Sequence, residues 1–553
     1  MTPTFQLYQQ KFRVSPLLVR VIFVLLLLLG SLIVSDYGVS YDEYVNRKNG
    51  GVSLNHIVET IEKNFNVSLG LTDEALAAHR IPLNTYLDRD YGVAFDLPAF
   101  VIERALQVNS VRGQHVLRHI LTYLFFLVGC WALYKTVALR FSSTLLGLAS
   151  VAMMVLSPRI FADSFYNSKD IVFMSAVAIA TYAMQRLFDK KDLASALLFG
   201  FVTAFAINIR IIGIIFPIAL IAIVSIGLLT RKQPLRASLL FFYLAVSTGL
   251  TIVFWPWLWS NPIDHFMLAF SNMSKFRWDG WILYLGNYYP STNLPRHYLI
   301  TWIIISTPVV YLLLFGVGAC SIIKKTIANK FDLWRNPSEL QDLIFLGLFF
   351  SPVVLVLIYR PVLYDGWRQF YFIYPVFICL AIRGLALALE LKSSKGLRVF
   401  RTLLLSAFGA TLIYVAQWMI THHPHQNLYF NALTPKDSAQ SLDSPSQIFE
   451  LDYWGTTNVR ALRYLLQYKA SGTIRVGSLG ITSLHQSLAM LDDADKARIQ
   501  IVPEVEDAEF YITNFRYIIP QQREFLQDKR WSLIHRIIVD QRTVSSVFQK
   551  NSE

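Results

Sequence analysis

Charged residues are scarce in this chain. Asp, Glu, Lys and Arg make up 16% of its 553 residues, against 54% hydrophobic and 14% aromatic, and mean hydropathy is +0.42. That balance excludes an ordinary soluble protein and suits one that crosses a membrane many times. Cysteine is nearly absent. Cys130, Cys320 and Cys379 all fall inside hydrophobic segments, so the loops expected outside have neither disulfides nor Cys-based metal sites and must be held by packing. No internal repeat or low-complexity segment is evident. Nor does a small-x-small cleavage site follow Val34, so the first apolar run, although its flank is basic, reads as a retained span.

What the chain has instead is long apolar runs. Segments of roughly 17 to 25 residues, enough to cross a hydrocarbon core, lie near 17–35, 116–138, 142–158, 170–187, 193–209, 211–230, 237–256, 298–323, 341–359, 369–390 and 402–420. The fold expected is a polytopic α-helical membrane protein of about eleven transmembrane helices, with its termini on opposite sides. Lys11 and Arg13 precede the first span and Arg20 lies in its first turn. Arg140, then Arg186 with Lys190 and Lys191, Arg231 with Lys232 and Arg236, Lys324 with Lys325, Lys330 and Arg335, and finally Lys392 to Arg401 occupy every second connection. Those connections are expected to be cytoplasmic. The net charge of +13 then reflects this bias and anionic headgroups, and calls for no nucleic-acid partner.

On the other side, residues 36–115 form a long first outer loop with helix-like stretches at 54–65 and 97–108. In the second, Leu97, Phe100, Val101, Ala105 and Leu106 recur at helical spacing around Glu103 and Arg104. Such a helix lies in the membrane interface or packs on its own loop. A later outer loop, 255–297, opens Trp255-Pro256-Trp257-Leu258-Trp259 and carries Trp278, Trp281, Tyr288 and Tyr289, read mainly as an aromatic belt at the headgroups. Residues 1–420 are expected to form the transmembrane domain. Residues 421–553 read as a small soluble α/β unit on the outer side, with strands near 473–478, 498–502, 510–513 and 531–539 and a helix near 459–468.

Chemistry-bearing residues gather at the outer edge. Asp42 and Glu43 follow the first span closely, where a carboxylate can take a proton from a hydroxyl; the alternative is an ion pair with Arg47 or Lys48. Lys169 and Asp170 open the fourth span, with Arg159 and Asp163 just before them. A cation at that depth can hold a lipid phosphate and a carboxylate can orient the cation or a metal ion, or else Lys169 snorkels and Asp170 caps its helix. Arg210 is stranded between two apolar runs, and Arg360 and Arg368 sit on a turn between later spans. Guanidinium groups so placed suit bidentate phosphate recognition, although a neighbouring span could bury Arg210 against a structural carboxylate. His422, His423 and His425 flank Pro424 in a metal-like cluster but read as an interfacial linker.

In order and sidedness, Asp42-Glu43, Lys169-Asp170, the Trp255-Pro256-Trp257 loop and a soluble outer C-terminal unit resemble the GT-C glycosyltransferases. More narrowly, they are similar to the branch of the dolichyl-phosphate-mannose-protein mannosyltransferases and aminoarabinose transferases, over roughly residues 21–420; segments 427–431 and 451–455 also look like those of bacterial relatives. The resemblance implies inverting transfer of a sugar from a polyprenyl-phosphate donor to an envelope glycan, lipid or protein, in a bacterial inner membrane with the active site facing the periplasm. It makes Asp42 the catalytic carboxylate with Glu43 its neighbour, and Lys169 and Asp170 the matching basic and acidic pair, so that Asp42, Glu43 and Asp170 are the expected catalytic acids; from the residues' own placement, Lys169, Arg159, Arg210, Arg360 and Arg368 are the expected phosphate ligands. No cofactor is certain, and a divalent metal ion stays open. Expelling a phosphate from an anomeric carbon needs a base for the incoming hydroxyl but no acid for the leaving group, so one carboxylate with a basic cluster suffices, unlike the paired carboxylates of a glycoside hydrolase. The rival reading is a multi-pass transporter or flippase of lipid-linked glycans, which usually places its key charges at the bilayer midplane.

Overall fold

The structure is a computed structural model that describes residues 14–551 apart from 70–78, 275, 392–393, 435–447, 480–482 and 518. Lys11, Arg13 and Lys392, used above for orientation, lie outside the described residues. Nine described helices are long and apolar enough to cross a membrane. The count becomes ten if Thr144–Val155 and Pro158–Tyr166, bent by 71° at their junction, form one broken span. The eleventh expected segment is a helix too, but Leu193–Ile209 is only 17 residues long. The segment near 298–323 is also broken, into Tyr298–Ser306 and Val309–Ala328, because Pro308 has no N–H to continue the first helix and instead precedes the second.

Local chemistry sets the ends of these helices. Ser15 accepts from the Leu18 amide before Pro16, Ser110 accepts from Gly113, and Asn336 accepts from Glu339 with Pro337 at the first helical position. Val111–Phe141, Asp170–Lys190 and the segment Arg368–Glu390 form the buried middle, and Pro16–Ile33 and Lys395–Thr421 stay mostly exposed at the periphery. Pro16–Ile33 is nevertheless anchored: Tyr123 donates to the Leu26 carbonyl at 2.7 Å, and Gly30 lies flat under that ring.

In the first outer loop, the helix-like stretch at 54–65 proves to be the second half of a longer helix, Asp42–Phe65. Asp96–Ala105 turns Ala99, Phe100 and Glu103 inward and leaves Val101, Ile102 and Leu106 exposed, so one face packs on the loop and the other is free for lipid. The aromatic belt needs correcting. Trp255 and Trp257 are buried in a small core with Val52, Leu83, Tyr86 and Ile211, tying the loop 36–115 to the loop 255–297, whereas Trp259 is exposed. Two indoles that can bury their faces on each other's loop lose more water contact there than at a headgroup surface.

A hairpin, β1 (Trp281–Tyr284) with β2 (Asn287–Pro290), was not anticipated. The C-terminal unit contains β3 (Ile474–Gly477), β4 (Ile499–Ile501), β5 (Phe510–Thr513), β6 (Trp531–Val539) and β7 (Arg542–Lys550), with the helix Asn458–Tyr468 packed on them. The sheet order is β4-β3-β5-β7-β6, parallel around β3 and antiparallel at β7. This unit does not stand apart. Phe449 bridges to Tyr284 of the hairpin, Val39 of the first outer loop joins its core, and Gly38 meets the Thr456 carbonyl so closely that a β-carbon would sit 2.4 Å away.

Candidate active site

Asp42 and Glu43 are the first two residues of the helix Asp42–Phe65, where the helix dipole favours carboxylates. Neighbours on a helix point about 100° apart, so the pair separates. Glu43 turns inward. Its Oε1 accepts the Ser40 amide at 2.8 Å, and its Oε2 meets His115 Nδ1 at 2.9 Å and His119 Nε2 at 3.1 Å, two rings four residues apart on one face of Val111–Phe141. Burial pushes the Glu43 carboxyl up, but the charge and hydrogen bonds of His119 and His115 outweigh it and hold the group at about 2. Asp42 stays partly open instead. Its side chain keeps 40% of its exposure while protein groups surround it, and this burial raises its pKa against the pull of Arg368, whose Nη2 lies 3.4 Å away.

Arg368 is the hub. Its Nη1 donates to Asp170 Oδ2 at 3.0 Å, and its Nε and Nη2 donate to Asp365 Oδ2 at 3.1 and 2.8 Å. The other oxygen of Asp170 is taken by Arg210, and the other oxygen of Asp365 by Arg516 at 2.6 Å. The result is an alternating ladder: Arg210, Asp170, Arg368, Asp365, Arg516. Asn167 braces Asp170 twice, its Oδ1 accepting the Asp170 amide at 2.9 Å and its Nδ2 donating to Asp170 Oδ2 at 3.0 Å, so the carboxylate is held by Asn167 as well as by the two arginines. The rings of Trp454 and Tyr364 cover the Arg368 guanidinium at 4.5 and 5.0 Å.

Lys169 differs from these arginines. Among the described residues it forms no ion pair; its Nζ lies 3.3 Å from the centroid of the Tyr91 ring. Burial lowers its pKa to about 8, against the opposing charges of Asp96 and Asp88. The structure therefore brings Asp42, Lys169, Asp170, Arg210 and Arg368 into one neighbourhood. Arg210 is indeed held by a carboxylate, that of Asp170, within the same cluster. Arg159 and Arg360 stand outside it. Arg159 is buried, donates to the Tyr429 carbonyl at 2.8 Å and lies over Phe430 and Trp302. Arg360 caps the end of Pro337–Tyr359 with its side chain exposed. His423 pairs with Asp36 and His422 stacks on Trp418; among the described residues no three His, Cys, Asp or Glu are grouped so that they could hold a metal ion.

Sequence reasoning passed over Asp365, Arg516, His115 and His119. The two histidines had a signal, since His-x-x-x-His places both rings on one face of a helix. Asp365 and Arg516 lie in loops and had none. Trp454 stands in the stretch 451–455 singled out above, without a role.

A buried helical membrane bundle with a ladder of charges at one end is the class these features define. Residues 97–259, well under half of the chain, match the family model described as dolichyl-phosphate-mannose-protein mannosyltransferase, and the GT-C resemblance holds over that segment. No curated protein matches the chain. Among solved structures it is similar to ArnT from Cupriavidus metallidurans in the apo state, at 12% identity and a TM-score of 0.49 over 95% of this chain and 97% of that one. The same protein bound to undecaprenyl phosphate gives 12% identity and a TM-score of 0.44 over 96% and 98%.

Proposed function

We propose that the chain is an inverting glycosyltransferase that moves a sugar from a polyprenyl-phosphate donor to a hydroxyl of an envelope glycan, lipid or protein, on the periplasmic face of a bacterial inner membrane. Residues 1–420 form the catalytic transmembrane domain and 421–553 the outer domain. The observation that carries this reading is the partly open Asp42 carboxylate, 3.4 Å from Arg368 and within electrostatic reach of Lys169, a cation without an ion pair among the described residues.

Charge balance agrees. Lys169, Arg210, Arg368 and Arg516 face Asp42, Asp170 and Asp365, four cations against three anions, so one positive charge is left over. A donor phosphodiester brings one negative charge, so binding it neutralises the site. Asp42 takes the proton from the acceptor hydroxyl as its oxygen bonds to the anomeric carbon. The bond from that carbon to the phosphate oxygen breaks on the opposite face, and the electron pair leaves with the phosphate, which Lys169, Arg210 and Arg368 hold. The raised pKa of Asp42 makes it a better base than an ordinary aspartate, at the cost of activity in acid. Glu43, saturated by Ser40, His115 and His119, positions the start of the Asp42 helix.

The test is transfer by the purified protein from labelled undecaprenyl-phosphate sugars, with the lipids of a deletion strain naming the sugar. Asp42→Asn keeps size and fold and is expected to lower the rate on the order of 10²-fold or more. Native-rate transfer by that variant sinks the assignment of the base. An unchanged lipid and glycan profile in the deletion strain moves the weight to a transporter.

A further inference from the structure

The C-terminal unit reaches the charged ladder through a residue that the proposed reaction leaves unused. Arg516 follows β5, and its side chain is 6% exposed. Its Nη2 lies 2.6 Å from Asp365 Oδ1, and its Nη1 donates to the Tyr453 carbonyl at 2.7 Å. That carbonyl belongs to the same strip of chain that lays Trp454 on Arg368. Asp365 itself is held in an unfavourable conformation. Its φ of +58° lies in the left-handed region, which is strained for a non-glycine residue and persists only where surrounding contacts impose it. Those contacts are Arg516 on one carboxylate oxygen, Arg368 on the other, and the Gly366 amide donated to Tyr298 Oη at 3.1 Å.

Arg368 faces three carboxylates, Asp42, Asp170 and Asp365, and the geometry depends on how it divides its five N–H groups among them. We propose that Arg516 is a positioning residue for the transfer reaction: it fixes Asp365, Asp365 orients the Arg368 guanidinium, and Arg368 thereby holds the Asp42 carboxylate in register with the cations. Without Arg516 the buried Asp365 keeps, among the described residues, Arg368 as its ion-pair partner. It draws that guanidinium toward itself and away from Asp42, since a buried carboxylate left short of a partner is costly. The C-terminal unit is then a working part of the active site. This inference rests on the reading of Asp42 as the base.

The direction of the pH effect follows. Arg368 and Arg516 both favour the ionised form of Asp42, so losing Arg516 raises the pH at which the base becomes available. The experiment uses full-length protein in nanodiscs with labelled undecaprenyl-phosphate mannose, glucose and aminoarabinose as donors. Arg516→Ala is expected to lower kcat about tenfold, the size typical of a supporting partner, with donor KM nearly unchanged and the acid limb of the rate profile moved to higher pH. Arg516→Lys is expected to restore most of the rate. In an Asp365→Asn background Arg516→Ala is expected to cost nothing further. Should Arg516→Ala fail to fold, Arg516→Gln, which keeps a donor for Tyr453 but no charge, takes its place with the same expectations. A transferring native protein whose Arg516 variants keep its kcat and pH profile, or lose as much again in the Asp365→Asn background, overturns the inference alone. A native protein that transfers from none of these donors overturns the reading of Asp42 and the inference with it.

Discussion

At the scale of single residues, the adjacent acids Asp42 and Glu43 look interchangeable on paper and are opposites in the fold. Glu43 titrates at about 2 in the folded protein against an ordinary value of 4.5. Its folded pKa is depressed, so its contribution to stability is complete above the ordinary value and is lost as pH falls from there toward 2. Thermal unfolding in detergent is expected to show a loss over that window which Glu43→Gln lacks. At neutral pH the substitution should itself cost about 1–3 kcal/mol, because the amide keeps only part of the hydrogen bonding of a buried carboxylate. Lys169 carries the opposite expectation. With its pKa at about 8, the Lys169 ammonium, proposed above to hold the donor phosphate, is charged below that pH and neutral above it. Binding of undecaprenyl phosphate should therefore weaken as pH rises through about 8, and Lys169→Gln should bind roughly ten- to a hundredfold more weakly with that break removed. A pH-independent dissociation constant across this range is the outcome that refutes the assignment.

At the scale of elements, two spans meet by close approach of their backbones. Gly318 on Val309–Ala328 and Gly384 on Tyr374–Glu390 face each other so that a β-carbon at either would lie about 2 Å from a carbonyl oxygen of the partner helix, Leu380 or Leu314. Small residues here let two spans cross with no side chain between them. The second of these helices continues directly from the turn that carries Arg368. Gly384→Val is expected to destabilise the protein by at least the ~1–3 kcal/mol typical of overpacking, and more if the crossing is lost. Unfolding temperature compared with that of Gly409→Ala, where a β-carbon meets nothing within 4 Å, checks it. Among the outer elements the hairpin β1–β2 escaped sequence reading because its strands are four residues each and aromatic-rich, which reads equally well as belt.

At the scale of the whole molecule, the charged ladder joins distant parts of the chain: Asp42 from the first outer loop, Asp170 and Arg210 from the ends of two helices, Asp365 and Arg368 from a late turn, and Arg516 from the C-terminal unit. All must lie on one side of the bilayer. Fusions of a compartment-sensitive reporter to the first and last residues are expected to report opposite sides, the C-terminus with the active site. Both ends in one compartment would break that shared face and the proposed reaction together.

Composition and apolar periodicity alone determined that the chain is a membrane-spanning helical bundle with an α/β tail, because burial in lipid demands long apolar runs and internal hydrogen bonding wherever the chain crosses. Strands β3 to β6 and the helix Asn458–Tyr468 were legible for the same kind of reason, their short-range pattern being strong. Asp42, Lys169, Asp170, Arg210 and Arg368, which the structure brings into one neighbourhood, stand out in the sequence because a charge beside a span is costly. Only the tertiary structure decided that Glu43 serves two histidines, that Arg159 and Arg360 stand apart, and that Asp365 and Arg516 complete the ladder. Those outcomes turn on which distant groups meet and how a guanidinium divides its hydrogen bonds, and no local pattern in the chain encodes either.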